Sequence, residues 1–274
     1  MDVVVGGGVV GLTVAKRVKA KLIEEKSELG GVHSPVDLGL AKVPGFPVFS
    51  DAVCGGFSFK EFRPNVVYER EHYLDERVCR GVCPNWLTLE GIKYVVFPAF
   101  EHYDWLRARA KRVVGNKVVT SSGATLEFEN LYVAAPPPEL GMAWKGDYVS
   151  VAQIIAIIKE WKRPWDALIS GDTSRLFTRV LRMPTGDHHV LYVETYFHGL
   201  PPSWDRVKSD VKRALNIDLD RESLTERYRV TKYALLVEGT LREGNLPENV
   251  KVCGRFMRWN NPSFCESIRL ALEC

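Results

Sequence analysis

Hydrophobic and polar positions alternate along the chain in a pattern that sorts it into short strands and a few helices. Val3-Val4-Val5 is an uninterrupted apolar run stopping at Gly6, as expected of a strand buried on both faces. A proline-free stretch from Leu12 to Lys19 predicts a helix, and Lys21-Leu22-Ile23 a second strand that ends on Glu24. Strand, helix and strand in that order predict a parallel α/β arrangement.

The segment from Val32 to Phe62 is rich in Gly and Pro and reads as loop and irregular strand. Val66 to Cys83 is highly charged and closes on a Cys-Arg-Gly-Val-Cys-Pro turn. Lys93 to Pro98 is a short strand, and His102 to Lys111 is expected to be a helix carrying several cations. Val113-Val114, Gly115-Asn116 and Lys117 to Thr120 form a hairpin signal, followed by a strand over Ala124 to Phe128. Leu131 to Ala135 is wholly apolar, as a strand inside a parallel sheet is, and stops at three prolines.

Val149 to Trp161 has the apolar spacing of a helix. Leu176 to Met183 and His189 to Tyr196 look like paired strands around Pro184-Thr185-Gly186-Asp187. Trp204 to Leu215 is an amphipathic helix with Ser203 as its cap, and Arg227 to Val237 is strand-like. Val250 to Cys253 is a strand ending at Gly254-Arg255, before a terminal helix from Ser263 to Leu272. No internal repeat or low-complexity tract is visible.

Candidate chemistry begins at Gly6-x-Gly8-x-x-Gly11. Gly6 permits the tight strand-to-helix turn, Gly8 lets the backbone approach a pyrophosphate, and Gly11 lets the helix pack on the sheet. The helix N-terminus then offers unpaired N–H groups to phosphate. Glu24 lies 18 residues beyond Gly6, close to the roughly 20 expected of a ribose-binding acid. A carboxylate there accepts from free hydroxyls and repels a 2′-phosphate, which disfavours an NADP-type ligand.

Composition narrows the classes. Hydrophobic residues make up 46% and charged residues 26% of 274, the balance of a globular protein able to bury a substantial core. A net charge of +3, without a long basic run, argues against a nucleic-acid partner. No apolar stretch is long enough to span a bilayer. The N-terminus enters its strand at once, leaving no room for a signal peptide, so a cytoplasmic location is expected. Six cysteines lack zinc spacing, so no metal site is expected. Gln153 is the single glutamine, which hints at a thermophile. In that setting an intracellular disulfide is credible, though the spacing selects no pair.

With Gly30-Gly31 six residues past Glu24, the N-terminal unit resembles the extended fingerprint of FAD-dependent oxidoreductases. These are the amine oxidase, protoporphyrinogen oxidase and phytoene desaturase relatives, which include UDP-galactopyranose mutase. The double glycine selects FAD over NAD. Other segments carry the likeness onward: Arg112-Val113, where the family's adenine contact lies; the Leu131 to Pro138 strand end; Thr178-Arg179 with Glu194-Thr195-Tyr196; and Lys232-Tyr233-Ala234. Val252-Cys253-Gly254-Arg255-Phe256 with Trp259 and Glu266-Ser267-Ile268 resembles the closing flavin motif.

The resemblance implies a doubly wound, Rossmann-like α/β domain that binds FAD, with a small inserted β-rich α+β substrate domain. FAD contacts would come from Gly6, Gly8, Val10, Gly11, Glu24, Glu25, Gly30, Gly31, Val113, Ala135, Gly254 and Arg255. The boundaries would be 1–50, 93–150 and 235–274 for the FAD part, and 51–92 with 151–234 for the substrate part. Arg255 would add positive charge near the flavin or clamp a carboxylate.

Three departures stand out: a short first helix, Cys265 where relatives often carry an acid, and a chain shorter than typical relatives. The lost acid contact would be absent, shifted to Glu266 or taken over by backbone. Candidates for the reacting end are Arg179, as an anion clamp or a surface salt bridge, and Tyr196, Tyr233 and Trp259, as walls of the flavin or as packing. His33 is either a flavin neighbour or a polar loop residue, and His188-His189 read as turn residues. The expected activity is hydride transfer between flavin and a small organic substrate. A mutase-like reaction without net redox change, or a non-catalytic flavin-binding subunit, are the alternatives. A homo-oligomer or a partner subunit is left open.

Overall fold

The computed structural model describes residues 1–97 and 103–274. Five strands form one parallel sheet in the order Val250–Val252, Leu131–Val133, Val3–Val5, Lys21–Glu24, Trp105–Arg107. Val3 sits beside Leu131 on one side and Lys21 on the other. The run Val3–Val5 is buried throughout because the helix Val9–Val18 covers one face and a second apolar cluster the other. The final strand of the sheet therefore comes from the far end of the chain. The terminal helix Phe264–Glu273, capped by the Ser263 side chain, packs on the first helix.

A second sheet has six strands, ordered Ser223–Leu236, Tyr148–Ile158, His188–Phe197, Arg179–Thr185, Ala167–Ser170, Val66–Glu69. Neighbours run antiparallel except for the last pair. The helix expected over Val149 to Trp161 is instead the strand Tyr148–Ile158. Val149, Val151, Ile155 and Ile157 enter one core, while Ile154, Ala156 and Ile158 enter another on the opposite face. A strand covered on both sides is apolar at nearly every position, so it also satisfies helical spacing; the β-branched Val and Ile residues favour the strand.

The helix expected from His102 to Lys111 is also corrected. Residue 102 lies outside the described residues, Trp105–Arg107 adds an edge strand to the parallel sheet, and Ala110–Val114 starts an antiparallel meander with Lys117–Thr120 and Thr125–Glu127. Tertiary pairing overrides helix propensity here. The helix Trp204–Leu215 with its Ser203 cap, and the hairpin between Arg179–Thr185 and His188–Phe197, match the sequence pattern.

All six cysteines are paired: Cys54 with Cys265, Cys79 with Cys83, and Cys253 with Cys274. Sequence spacing had no means of choosing among these pairs, because two of them join segments that meet only through folding. Loop entropy ranks their contributions at about 5, 2 and 3 kcal/mol for separations of 211, 4 and 21 residues. Thermal melts of the paired serine variants should follow that ranking, with Cys54→Ser/Cys265→Ser losing most and Cys79→Ser/Cys83→Ser least. An equal loss in all three would contradict the entropic account.

Candidate cofactor site

A cleft of about 360 Å³ opens along the ends of the parallel strands and continues to the six-stranded sheet. Its floor is the glycine turn. Gly6 has φ 104°, and a Cβ there would lie 2.8 Å from the Ala135 nitrogen. At Gly11 a Cβ would lie 1.8 Å from the Gly6 carbonyl oxygen, so the helix could not approach the sheet. The helix Val9–Val18 begins at Gly8 without a side-chain cap or an acidic residue in its first turn. Its first N–H groups and positive dipole end thus serve the cleft, as an anion site requires.

Gly30 and Gly31 have φ 116° and 63°. The Gly30 N–H donates to the Gly7 carbonyl at 2.8 Å, and a Cβ on Gly31 would stand 3.1 Å from the Gly8 Cα. The double glycine is therefore the opposite lip of the cleft from the helix start. Glu24 accepts the Gly7 N–H at 2.6 Å and the Lys26 N–H at 2.9 Å, and lines the cleft. Those two bonds hold its carboxylate in place with lone pairs left to accept from further donors in the cleft. Glu25 lines the cleft beside Arg109, 3.6 Å away.

Gly254, with φ 65°, closes over Val10, whose Cγ1 would be 2.8 Å from an added Cβ. Arg255 follows it. Its Nη2 donates to the Ala234 carbonyl at 3.1 Å and to Asn261 at 3.2 Å, and its Nε is buried without a partner. The carboxylate clamp considered for Arg255 is thus not made. Burial pulls the guanidinium down to about 10, with Tyr196 opposing. A buried guanidinium with an unpartnered Nε, beside a glycine-lined cleft, fits a diphosphate-linked, electron-accepting ring system such as FAD.

Several expected residues fall elsewhere. Val113 is in the hairpin and does not line the cleft; Ala108, Arg109 and Ala110 do, because the preceding strand joins the sheet edge next to Glu24. Gly11 lies beneath the cleft, and its effect is on helix packing. Trp259 is fully buried, donates from Nε1 to the Asp147 carbonyl at 2.7 Å and packs edge-on against Tyr233, so it backs the wall without facing the cleft. Cys265 is spent in its disulfide and Glu266 pairs with Arg269 at the surface, and neither lines the cleft.

Arg179 is neither a surface salt bridge nor a free anion clamp. It is 1% exposed and meets Glu194, itself 0% exposed, through Nε and Nη2 at 3.0 Å each. Its Nη1 donates to the Trp86 and Leu87 carbonyls. Tyr196 donates its hydroxyl to Glu194 at 3.1 Å, Gln153 donates to the same carboxylate at 3.3 Å, and burial pushes the Tyr196 hydroxyl well above its ordinary range. Tyr196 and Tyr233 both line the cleft. Tyr233 sits at φ 53° in an irregularity of its strand, and burial raises its hydroxyl to about 12. Phe46 and Trp86 complete this end; isolated aromatics in a loop-rich segment carried no sequence signal.

His33 lines the cleft with Nδ1 3.3 Å from the Phe46 carbonyl oxygen. Burial, helped by Arg229 and Arg255, pulls it from 6.5 to about 4 against that hydrogen bond, so it is neutral near pH 7. An unfolded chain would bind the proton first, so this residue's contribution to stability is lost as pH falls from 6.5 to about 4. The expected loss is on the order of 3 kcal/mol. His33→Asn should flatten the difference between neutral and acidic melting temperatures; an unchanged difference would assign the acid sensitivity elsewhere.

Among the described residues no group of three or more His, Cys, Asp or Glu is placed to hold a metal ion, and no helix is long and apolar enough to cross a membrane. No family model matches the sequence, and no curated protein matches it. Solved structures do match. Reduced UDP-galactopyranose mutase aligns at TM-score 0.68 and 14% identity, over 99% of this chain and 92% of that one. A putrescine oxidase variant redesigned in its cofactor binding aligns at TM-score 0.63 and 10% identity, over 99% and 97%. A geranylgeranyl bacteriochlorophyll reductase-like protein from Thermoplasma acidophilum aligns at 0.58 and 12%, over 99% and 75%. At these identities the likeness concerns the fold: the chain folds, over nearly its whole length, as these solved structures do.

Proposed function

We propose that this protein binds FAD and moves a hydride equivalent between an organic substrate and the flavin. The observation that carries the reading is one cleft joining the glycine turn, the Glu24 carboxylate and the Arg255 guanidinium, whose Nε is buried without a partner. FAD supplies the redox chemistry when bound. Glu24 accepts from ribose hydroxyls, the Gly8 helix start and Gly30-Gly31 hold the diphosphate, and Arg255 places positive charge beside the ring. The aromatic end excludes water, and neutral His33 keeps a further cation away from the reacting atoms. On this reading residues 1–50, 93–150 and 235–274 serve the cofactor, and 51–92 with 151–234 the substrate. Three disulfides and a single glutamine are what a cytoplasmic protein of a hyperthermophile would carry.

The mutase-like alternative drew on Thr178-Arg179 and Glu194-x-Tyr196. Since Arg179 is consumed by Glu194, that pattern reads as a buried structural pair, which favours hydride transfer. The test is the absorbance spectrum of the purified protein, with mass analysis of released cofactor. Bound FAD that a reductant bleaches and air restores is expected. A protein that takes up no FAD on titration contradicts the reading, and bound FAD that no donor reduces favours a flavin-binding subunit without turnover.

A further inference from the structure

The disulfide Cys54–Cys265 joins a surface turn to a helix in the wall of the cleft. Five of the six residues from Asp51 to Gly56 are exposed, and Cys54 itself is half-buried. A Cβ added at Gly55 or Gly56 would meet nothing within 4 Å, so the turn stands clear of the body of the protein. On the other side, Cys265 lies in the first turn of the helix Phe264–Glu273, and Phe264 and Ser267 line the cleft. The strand leading into the turn, Val48–Ser50, supplies Val48 and Phe49 to the same cleft. One covalent bond therefore ties together two elements of this wall.

Across the same seam Phe57 packs edge-on against Phe264 at 4.9 Å, and Val48 shares a small apolar cluster with Phe264. The far end of the helix is held separately, by Cys253–Cys274 and by packing on the first helix. Opening the Cys54–Cys265 bridge thus frees the wall locally and leaves the helix docked.

Access favours this bridge for thiol exchange. Each of the other two contains a buried cysteine, Cys79 at 6% and Cys253 at 1% exposure, whereas Cys54 and Cys265 are both partly exposed. Cys265 follows the N-cap Ser263 by two residues, where the N–H groups and positive end of the helix favour a thiolate. The charge of Glu266 in the same turn is met by Arg269. Cys265 is therefore the better leaving group, and Cys54 the sulfur that is attacked.

We propose that Cys54–Cys265 is a reducible latch on the cleft, opened by a dithiol. One thiolate of the dithiol attacks the Cys54 sulfur and displaces Cys265 as its thiolate, giving a mixed disulfide; the second thiol of the reagent then displaces Cys54. The protein bridge gains two electrons and two protons, and the dithiol leaves as a disulfide. With the bridge open, Val48–Ser50 and the start of the helix separate more readily, and the cleft holds its occupant less tightly. Naming that occupant as FAD rests on the flavoprotein reading, whereas the latch rests on the wall itself.

The experiment exposes the native protein to graded dithiothreitol, traps the thiols with iodoacetamide and locates them by peptide mass. Cys54 and Cys265 should be released at about tenfold lower dithiothreitol than the other four cysteines. At the concentration that opens only this bridge, amides at 48–50 and 264–267 should exchange hydrogen faster while those of Val3–Val5 stay protected. FAD affinity should fall about tenfold under the same condition. Release of another bridge first overturns the proposal. So does exchange that is unchanged at those amides or that rises throughout the molecule, and so does an unchanged affinity in a protein that binds FAD. Should the untreated protein take up no FAD, the flavoprotein reading fails on its own, and the order of release and the exchange pattern still decide the latch.

Discussion

Replacing Gly8 by alanine should leave the protein folded and, on the proposed flavoprotein reading, strip it of FAD. A Cβ at Gly8 meets nothing closer than the Gly31 Cα at 4.0 Å, and its φ of −72° suits any residue. The methyl group therefore costs the empty protein little, yet it stands where a diphosphate must approach the helix start. FAD affinity should fall by about a hundredfold, with a melting temperature of the cofactor-free protein close to native. Gly11→Ala should behave differently. Its Cβ would lie 1.8 Å from the Gly6 carbonyl oxygen and 3.3 Å from the Ala134 Cβ, so backbone must move. A destabilisation of about 3 kcal/mol is expected, at the upper end for overpacking. Flavin content and thermal melts of the two variants separate a cofactor role from a packing role; equal FAD retention in Gly8→Ala and the native protein would remove the cradle from the account.

The second large effect is expected at the buried ion pair. Arg179→Met leaves Glu194 in a dry interior with only Tyr196 and Gln153 donating to it. It also leaves the Trp86 and Leu87 carbonyls without their donor. Breaking such a pair from one side costs roughly 3–5 kcal/mol. Replacing both partners, as Arg179→Met/Glu194→Met, should recover part of that loss, because the uncompensated charge is then gone. Urea unfolding of the two single variants and the double variant measures the coupling. If Arg179 instead clamped a substrate anion, the single variant would melt normally and show its defect only in substrate binding.

How much of this was legible beforehand differs by element. Residues 2–31 could be read almost completely because each requirement there is local: a strand of three valines, a turn that only glycine can make, a helix start, and an acid at the end of the next strand. The short apolar strands at 131–133 and 250–252 were also readable, but not their order in the sheet, where Leu131–Val133 lies between Val3–Val5 and Val250–Val252. The strand Tyr148–Ile158 defeated periodicity because it is buried on both faces, so the polar positions that would distinguish a strand from a helix are missing. Residues 103–111 were misread because alternating Ala and Arg suit both an exposed helix and an edge strand.

At the site, Glu24 and the glycines announced themselves, whereas the partner of Arg179 did not. Arg179 and Glu194 lie directly opposite in neighbouring strands, a register set by the hairpin turn and invisible as a side-chain contact in sequence. Phe46, Trp86 and Ala108 to Ala110 reach the cleft through loops and a sheet edge that no local signal places there.

The sequence by itself determined the strand–turn–helix–strand unit around Gly6, Gly8, Gly11 and Glu24, since backbone conformations open only to glycine and a correctly spaced carboxylate are properties of the local chain. The tertiary structure alone decided which charges are free. Burial and strand register consume Arg179 on Glu194 and leave the Arg255 Nε without a partner. These outcomes depend on desolvation and distance between segments far apart in the chain, which no linear pattern encodes.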